Sequence, residues 1–360
     1  MQIRKIVSTF GKLAISAVLI GYLVARAARD DQFTALLTAP KNWLVLLSAL
    51  PVCLFAVTIT ILRWHILIRA VGLSFSIGQT LRAGFLGYLA NLLPFGLVAG
   101  DSLKAVMLIH RNPQRKTDAV ASVIVDRALG LFALLLLAAV ASLLLPADQL
   151  ARLSQDDRTR ILRLCWLIQL AAAASSVGLV IMLIPGVTNS RWWDLVEHTP
   201  LIGRILHKLV GAMRAYRRRV DLMLGAIGVS MLVHTSYIGA FALMTRSIGI
   251  PIDQQPAVSS MFVIVPPSMV AGALPIGTLE FVFTLLFRAA SPPTAAPATG
   301  LLIALTYRLL QISIATIGVA LWVTGRGDVR ALMHEAEDLP SSQMPANGGD
   351  PVVLADQRAT

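Results

Sequence analysis

Long apolar runs alternate along this chain with short charged segments. Trp43 to Leu62 and Leu164 to Ile184 carry no charge, and Leu222 to Thr245 holds no Asp, Glu, Lys or Arg. Ala119 to Leu145 is apolar apart from Asp126 and Arg127, and Thr299 to Thr324 apart from Arg308. A hydrocarbon core of about 30 Å takes about 20 helical residues, so each run predicts one crossing. At the N-terminus, Arg4 and Lys5 precede an apolar run, Leu13 to Ala25, that ends in the triplet Ala25-Arg26-Ala27. It reads either as a cleaved signal segment or as a retained span from about Ile6, with Lys12 snorkelling to the headgroups. Taken as retained, it brings the full crossings to about six, at about 6–25, 43–62, 119–145, 164–184, 222–245 and 299–324.

Two apolar stretches, about 78–109 and 256–288, are too long for one helix and are broken in the middle by Pro and Gly. A third segment, about 201–220, is amphipathic. Leu201, Ile202, Ile205, Leu206, Leu209, Val210 and Met213 recur at helical spacing opposite Arg204, Lys208 and Arg214, and Arg217, Arg218 and Arg219 close the run. This predicts either a helix lying on the membrane surface with its basic face towards anionic headgroups, or an ordinary basic loop. Beyond about residue 325 the chain turns polar, with Glu335, Glu337, Asp338 and "SSQMPANGGDP". It predicts a disordered cytoplasmic tail over 326–360 after one integral membrane domain, 1–325.

Composition agrees with the pattern. Of 360 residues, 56% are hydrophobic and 14% charged, and mean hydropathy is +0.73. The fold class is therefore an all-α polytopic membrane protein. The net charge of +12 raises nucleic acid as a partner, but its distribution argues otherwise. With the N-terminus inside, 20 of the 31 Lys and Arg fall in inner segments, Arg63 and Arg69 among them, against 9 outside. That is the bias of a membrane protein with both termini cytoplasmic. Cys53 and Cys165 both lie in apolar runs and frame neither a disulfide nor a metal site.

The two broken stretches match each other. "NLLPFGLVAGDSLK" contains Pro94, Gly96, Gly100 and Asp101, and "ALPIGTLEFVF" contains Pro275, Gly277 and Glu280. Each is followed by an apolar span with one buried arginine. Pro94 to Arg127 is 33 residues, and so is Pro275 to Arg308. An internal duplication, with units at about 78–145 and 256–324, explains both the order and the spacing. Three crossings separate the broken stretches. If each stretch is a re-entrant hairpin, the units are inverted relative to one another, as in transporters that bind substrate between repeats. If each crosses fully, they run parallel.

Pro and Gly let the chain turn at membrane depth, where open backbone is tolerated only against protein or a water-filled cavity. Half-helices starting near Asp101 and Glu280 point positive ends at that cavity. Arg127 and Arg308 lie about nine residues into their spans, roughly 13 Å at 1.5 Å per residue. A charge there costs about 2.5–3.5 kcal/mol or more and must find a carboxylate or an anionic ligand. Asp101–Arg127 and Glu280–Arg308 are the expected pairs. The structural alternatives are that Asp101 is an N-cap and that Arg127 pairs with Asp126 or snorkels.

"NLLPFGLVAGDSLKAVML", "ASVIVDRALGLFALLLL", "ALPIGTLEFVFTLLF" and "TYRLL", in that order, resemble the membrane region of lysylphosphatidylglycerol synthases, whose free-standing members are called flippase-like. The resemblance covers about residues 5–325. Where the family pattern has Asn, Leu-Pro, Gly-Glu and a following Arg, this chain has Asn91, Leu93-Pro94, Gly100-Asp101 and Lys104, and Val125-Asp126-Arg127 matches the next signature. The second hairpin is shorter than the family form. The resemblance implies movement or presentation of lipids across the inner membrane, without the soluble aminoacyltransferase domain and so without lysyl-lipid synthesis by this chain.

The leading expectation is a lipid translocator holding an anionic headgroup, phosphate above all, on a path of Asn91, Pro94, Gly100, Asp101, Lys104, Asp126, Arg127, Pro275, Gly277, Glu280 and Arg308. Arg204, Lys208, Arg214, Arg217, Arg218 and Arg219 would gather anionic lipid at the surface. A non-catalytic partner of a membrane lipid or glycolipid synthase is the alternative. A transferase is the weakest reading, because no HExxH, nucleophile elbow or P-loop occurs and His65, His110, His198 and His234 are scattered. No cofactor, metal or nucleic acid is expected.

Overall fold

The computed structural model describes residues 40–92, 97–184, 211–214, 216–274, 277–292, 296 and 298–324. The elements among them are helical, with no strand. In chain order they are α1 (Trp43–Ala70), α2 (Ile77–Asn91), α3 (Leu97–Arg111), α4 (Lys116–Leu143), α5 (Ala147–Ala151), α6 (Gln155–Leu183), α7 (Val220–Ser247), α8 (Val258–Ala271), α9 (Thr278–Ala290) and α10 (Thr299–Thr324). Local chemistry sets several of the starts. Asn42 accepts from the Val45 amide at α1, Ser76 and Gln79 form a capping box at α2, and Ser154 caps α6.

Five helices, α1, α4, α6, α7 and α10, are long and apolar enough to cross a membrane. The chain is a multi-pass membrane protein. The expected crossing at 6–25 and the tail at 326–360 lie outside the described residues. One boundary differs in a way that matters. α1 runs to Ala70 rather than Leu62, so Arg63 is not a loop cation but a helical residue only 4% exposed.

The broken stretches are helical hairpins. α2 and α3 have 15 residues each, or about 22 Å at 1.5 Å per residue, short of a crossing. Their two outer ends are tied together. The Ser74 amide donates to Asn112 Oδ1 at 3.0 Å, Asn112 Nδ2 returns to the Ser74 carbonyl at 3.1 Å, and Arg115 donates to the Val71 and Gly72 carbonyls. The chain therefore enters and leaves the α2–α3 hairpin at the end of the bundle where α1 finishes.

The α8–α9 hairpin is anchored at the opposite end. The Asn42 amide, at the start of α1, donates to the Ser247 carbonyl at the end of α7 (2.9 Å). Ser259, in the first turn of α8, donates to Gln149 just beyond the end of α4 (2.8 Å). Ala290, the last residue of α9, shares a cleft with Gln149 and Ser260. Of the two arrangements open from sequence, the hairpins adopt the inverted one.

Packing follows that inversion. α1, the helix before the first hairpin, lies along α7, the helix before the second. The first arm of each hairpin packs on the arginine-bearing helix of the other unit, α2 on α10 and α8 on α4, while the second arms pack on their own, α3 on α4 and α9 on α10. Small residues permit this closeness. A Cβ on Gly318 of α10 would lie 2.6 Å from the Phe85 carbonyl of α2. Outward faces are apolar, as on α6 with Trp166, Leu167, Leu170 and Val177, which suits a hydrocarbon solvent.

Candidate functional site: two ion pairs at the hairpin tips

Arg127 projects from α4 eleven residues after its first residue, Lys116, about 17 Å into the bundle. Its Nε donates to Asp101 Oδ2 at 2.7 Å and its Nη2 to Oδ1 at 2.8 Å. This is a two-pronged pair, the strongest geometry available to a guanidinium and a carboxylate. It is also open: the Arg127 side chain is 41% exposed and that of Asp101 22%. Asp101 is not an N-cap, because α3 begins at Leu97, one turn earlier.

The tip of the first hairpin is held by Asn91 and Gly100. Asn91 Oδ1 accepts from the Gly100 amide at 3.1 Å, which ties the end of α2 to the first turn of α3. A Cβ on Gly100 would sit 2.2 Å from the Gly87 carbonyl oxygen and 2.3 Å from Asn91 Oδ1. These two residues close the arms of the hairpin that carries Asp101. Pro94 and Pro275 lie outside the described residues.

Lys104, one turn beyond Asp101, is 8% exposed, with Nζ 3.8 Å from Asp101 Oδ1 and 5.5 Å from the Trp64 ring centroid. Asp126 turns away from this pair. It accepts from Arg63 Nε at 2.9 Å, its own carbonyl accepts from Arg63 Nη2 at 3.0 Å, and Arg63 Nη1 reaches the Ser230 hydroxyl. Both side chains of the Arg63–Asp126 pair are 5% exposed. Asp126 thus neither pairs with Arg127 nor faces an open path; it fastens α1 to α4. Sequence reading missed Arg63 and Ser230. The available signal was the resumption of the apolar run past Arg63, as Trp64, Ile66, Leu67 and Ile68.

The second unit repeats the pair with a different geometry. Arg308 of α10 puts Nε and Nη2 on one oxygen, Glu280 Oε1, both at 2.7 Å. The Glu280 side chain is 1% exposed and that of Arg308 21%. Glu280 Oε2 makes no hydrogen bond among the described residues. Gly277 caps α9 at φ +102°, a conformation that favours glycine, while Thr278 donates to the Ala271 carbonyl across the tip. Tyr237 meets Tyr307, the neighbour of Arg308, edge to face at 6.4 Å between ring centroids.

The basic segment is only partly described. Arg204 and Lys208 lie outside the described residues. Over 211–214 and 216 the apolar side is covered by protein rather than left for lipid. Ala212, Met213 and Tyr216 are at most 3% exposed and pack with Leu67, Val125 and Leu129, and the Tyr216 hydroxyl donates to the Leu67 carbonyl. Arg214, Arg218 and Arg219 are exposed and Arg217 partly so, and Arg219 contacts Asp221 at 3.5 Å. Among the described residues no group of His, Cys, Asp and Glu is arranged to hold a metal.

No curated protein and no solved structure matches the chain. A protein family does, over residues 9–318, a range that holds both hairpins and both of the ion pairs at their tips. The chain belongs to the family described as the lysylphosphatidylglycerol synthase TM region.

Proposed function

We propose that the protein is a lipid translocator, in which a headgroup crosses along the hairpin tips while its acyl chains stay in the bilayer. One observation carries the reading: Arg127 and Asp101 are paired near mid-membrane depth, yet 41% and 22% of their side chains are exposed. Carbon tails cannot solvate such a pair, and a charge at that depth costs about 2.5–3.5 kcal/mol or more. A polar groove that admits water and headgroups removes the conflict. An anionic headgroup would take the place of Asp101 on Arg127, keeping a charge-assisted contact throughout. The family adds a coarser support, a role tied to membrane lipid.

The proposed setting is the cell inner membrane, with both termini cytoplasmic. Removing buried Arg63 and Lys104 from the inner tally of 20 leaves 18 against 9 outside, so the positive-inside argument stands. The α2–α3 hairpin then opens from the cytoplasm and the α8–α9 hairpin from outside.

The test is headgroup movement of labelled phosphatidylglycerol in proteoliposomes of the purified protein and of its Arg127→Ala and Arg308→Ala variants. Movement by the wild type, lost in both folded variants, supports the reading. No movement with phospholipid, polyprenyl or hopanoid lipids would refute it and favour a partner of a membrane synthase.

A further inference from the structure

The duplicated frame has not kept the same chemistry in its two halves. Aligned on their ion pairs, Asp101 corresponds to Glu280 and Arg127 to Arg308. Lys104, three residues after Asp101, then corresponds to Phe283, three after Glu280, and Asp126, just before Arg127, corresponds to Tyr307, just before Arg308. Where Arg63 of α1 binds Asp126, Phe241 of α7 stacks on Tyr307 at 4.6 Å and on Phe283 at 4.8 Å between ring centroids. One half is a buried charge cluster and the other an aromatic one.

The charges of the first half do not balance. Arg63, Lys104 and Arg127 face two carboxylates, Asp101 and Asp126, and Lys104 feels all four of the other groups. Asp126 is taken by Arg63, whose Nε donates to Oδ1 at 2.9 Å, and Asp101 by Arg127, through hydrogen bonds of 2.7 and 2.8 Å. Lys104 Nζ, 3.8 Å from Asp101 and resting over Trp64, makes no hydrogen bond among the described residues. Its stem is pressed against Gly87, where a Cβ would meet Lys104 Cε at 3.0 Å. An ammonium on a side chain only 10% exposed is costly to keep, and it adjoins the exposed Arg127. In the second half Glu280 and Arg308 cancel.

We infer that the anion-binding half of the path is the first repeat alone, and that Lys104 selects headgroups whose phosphate is not neutralised by a cation of their own. This rests on the translocator reading and names its substrate class. The fork of Arg127 and the point charge of Lys104 suit neighbouring oxygens of one phosphate, while the aromatic half offers no second anion site.

Binding tests this separately from transport. Delipidated protein in detergent is titrated with dioleoylphosphatidylglycerol or dioleoylphosphatidylcholine and read by native mass spectrometry, with inorganic phosphate as competitor. The wild type should bind the anionic lipid at least tenfold more tightly. Lys104→Gln should erase that preference and Lys104→Arg retain it, whereas Phe283→Leu should lower the melting temperature and keep the preference. A preference unchanged in Lys104→Gln would overturn the inference, and so would its absence in the wild type. Displacement of the lipid by millimolar phosphate would overturn the headgroup assignment in favour of a free-anion site. A Lys104-dependent preference with no translocation would leave this inference standing and remove the translocator reading.

Discussion

Glu280 gives Arg308 only one of its carboxylate oxygens: Oε1 lies 2.7 Å from both Nε and Nη2, while buried Oε2 has no hydrogen-bond partner among the described residues. Arg308 is thus the main compensation for an acid that is 1% exposed. Removing it by Arg308→Ala should cost about 3–5 kcal/mol, the usual result of stranding a buried charge. The double variant Arg308→Leu/Glu280→Leu should recover much of the loss. Thermal unfolding in detergent reads both, and equal loss in the two variants would contradict the pairing.

Arg127 should behave in the opposite way. Its pair with Asp101 is open, and exposed pairs contribute about 0–1 kcal/mol. Arg127→Ala should therefore leave the melting temperature nearly unchanged while abolishing lipid movement in proteoliposomes. A large fall in stability would assign Arg127 to the framework instead.

The Arg63–Asp126 pair belongs to that framework. Asp126→Ala leaves Arg63 buried with only the Asp126 carbonyl and Ser230 as partners, and should destabilise by about 3–5 kcal/mol. Arg63→Met/Asp126→Leu should be far milder. The check is a double-mutant cycle on unfolding, in which additive single effects would show that the two residues do not interact.

Gly100→Ala tests the hairpin tip. The new Cβ meets the Gly87 carbonyl at 2.2 Å, backbone that cannot swing aside, so α2 and α3 must part at an overpacking cost of about 1–3 kcal/mol. Cysteines replacing Leu86 of α2 and Leu103 of α3, which share one apolar cluster between the arms, should cross-link less readily in that background than in the wild-type one. An unchanged cross-linking yield would show that the arms do not close at Gly100.

Gly277→Ala tests the second tip by another route. At φ +102° an L side chain is strained by roughly 1–2 kcal/mol, and the α9 start should loosen. Faster hydrogen exchange over the first turn of α9 is the expected signature, and unchanged exchange would speak against the left-handed cap.

By itself, the sequence determined the membrane class, five of the crossings and both breaks. Each rests on information local to the chain: unbroken apolar length, or Pro and Gly where helix cannot continue. It also paired Asp101 with Arg127 and Glu280 with Arg308, because the same 33-residue spacing separates each break from its arginine and a buried charge needs a partner. Tertiary structure alone decided the inversion, since contacts such as Ser74–Asn112 and Ser259–Gln149 join residues 38 and 110 positions apart. It alone also separated Asp126 from Arg127. Neighbours on a helix point about 100° apart, so one faces α1 and Arg63 while the other faces the hairpin tip. A hydropathy pattern reports how costly a charge is at a given depth; which neighbour offsets that cost is set by the helices that pack beside it.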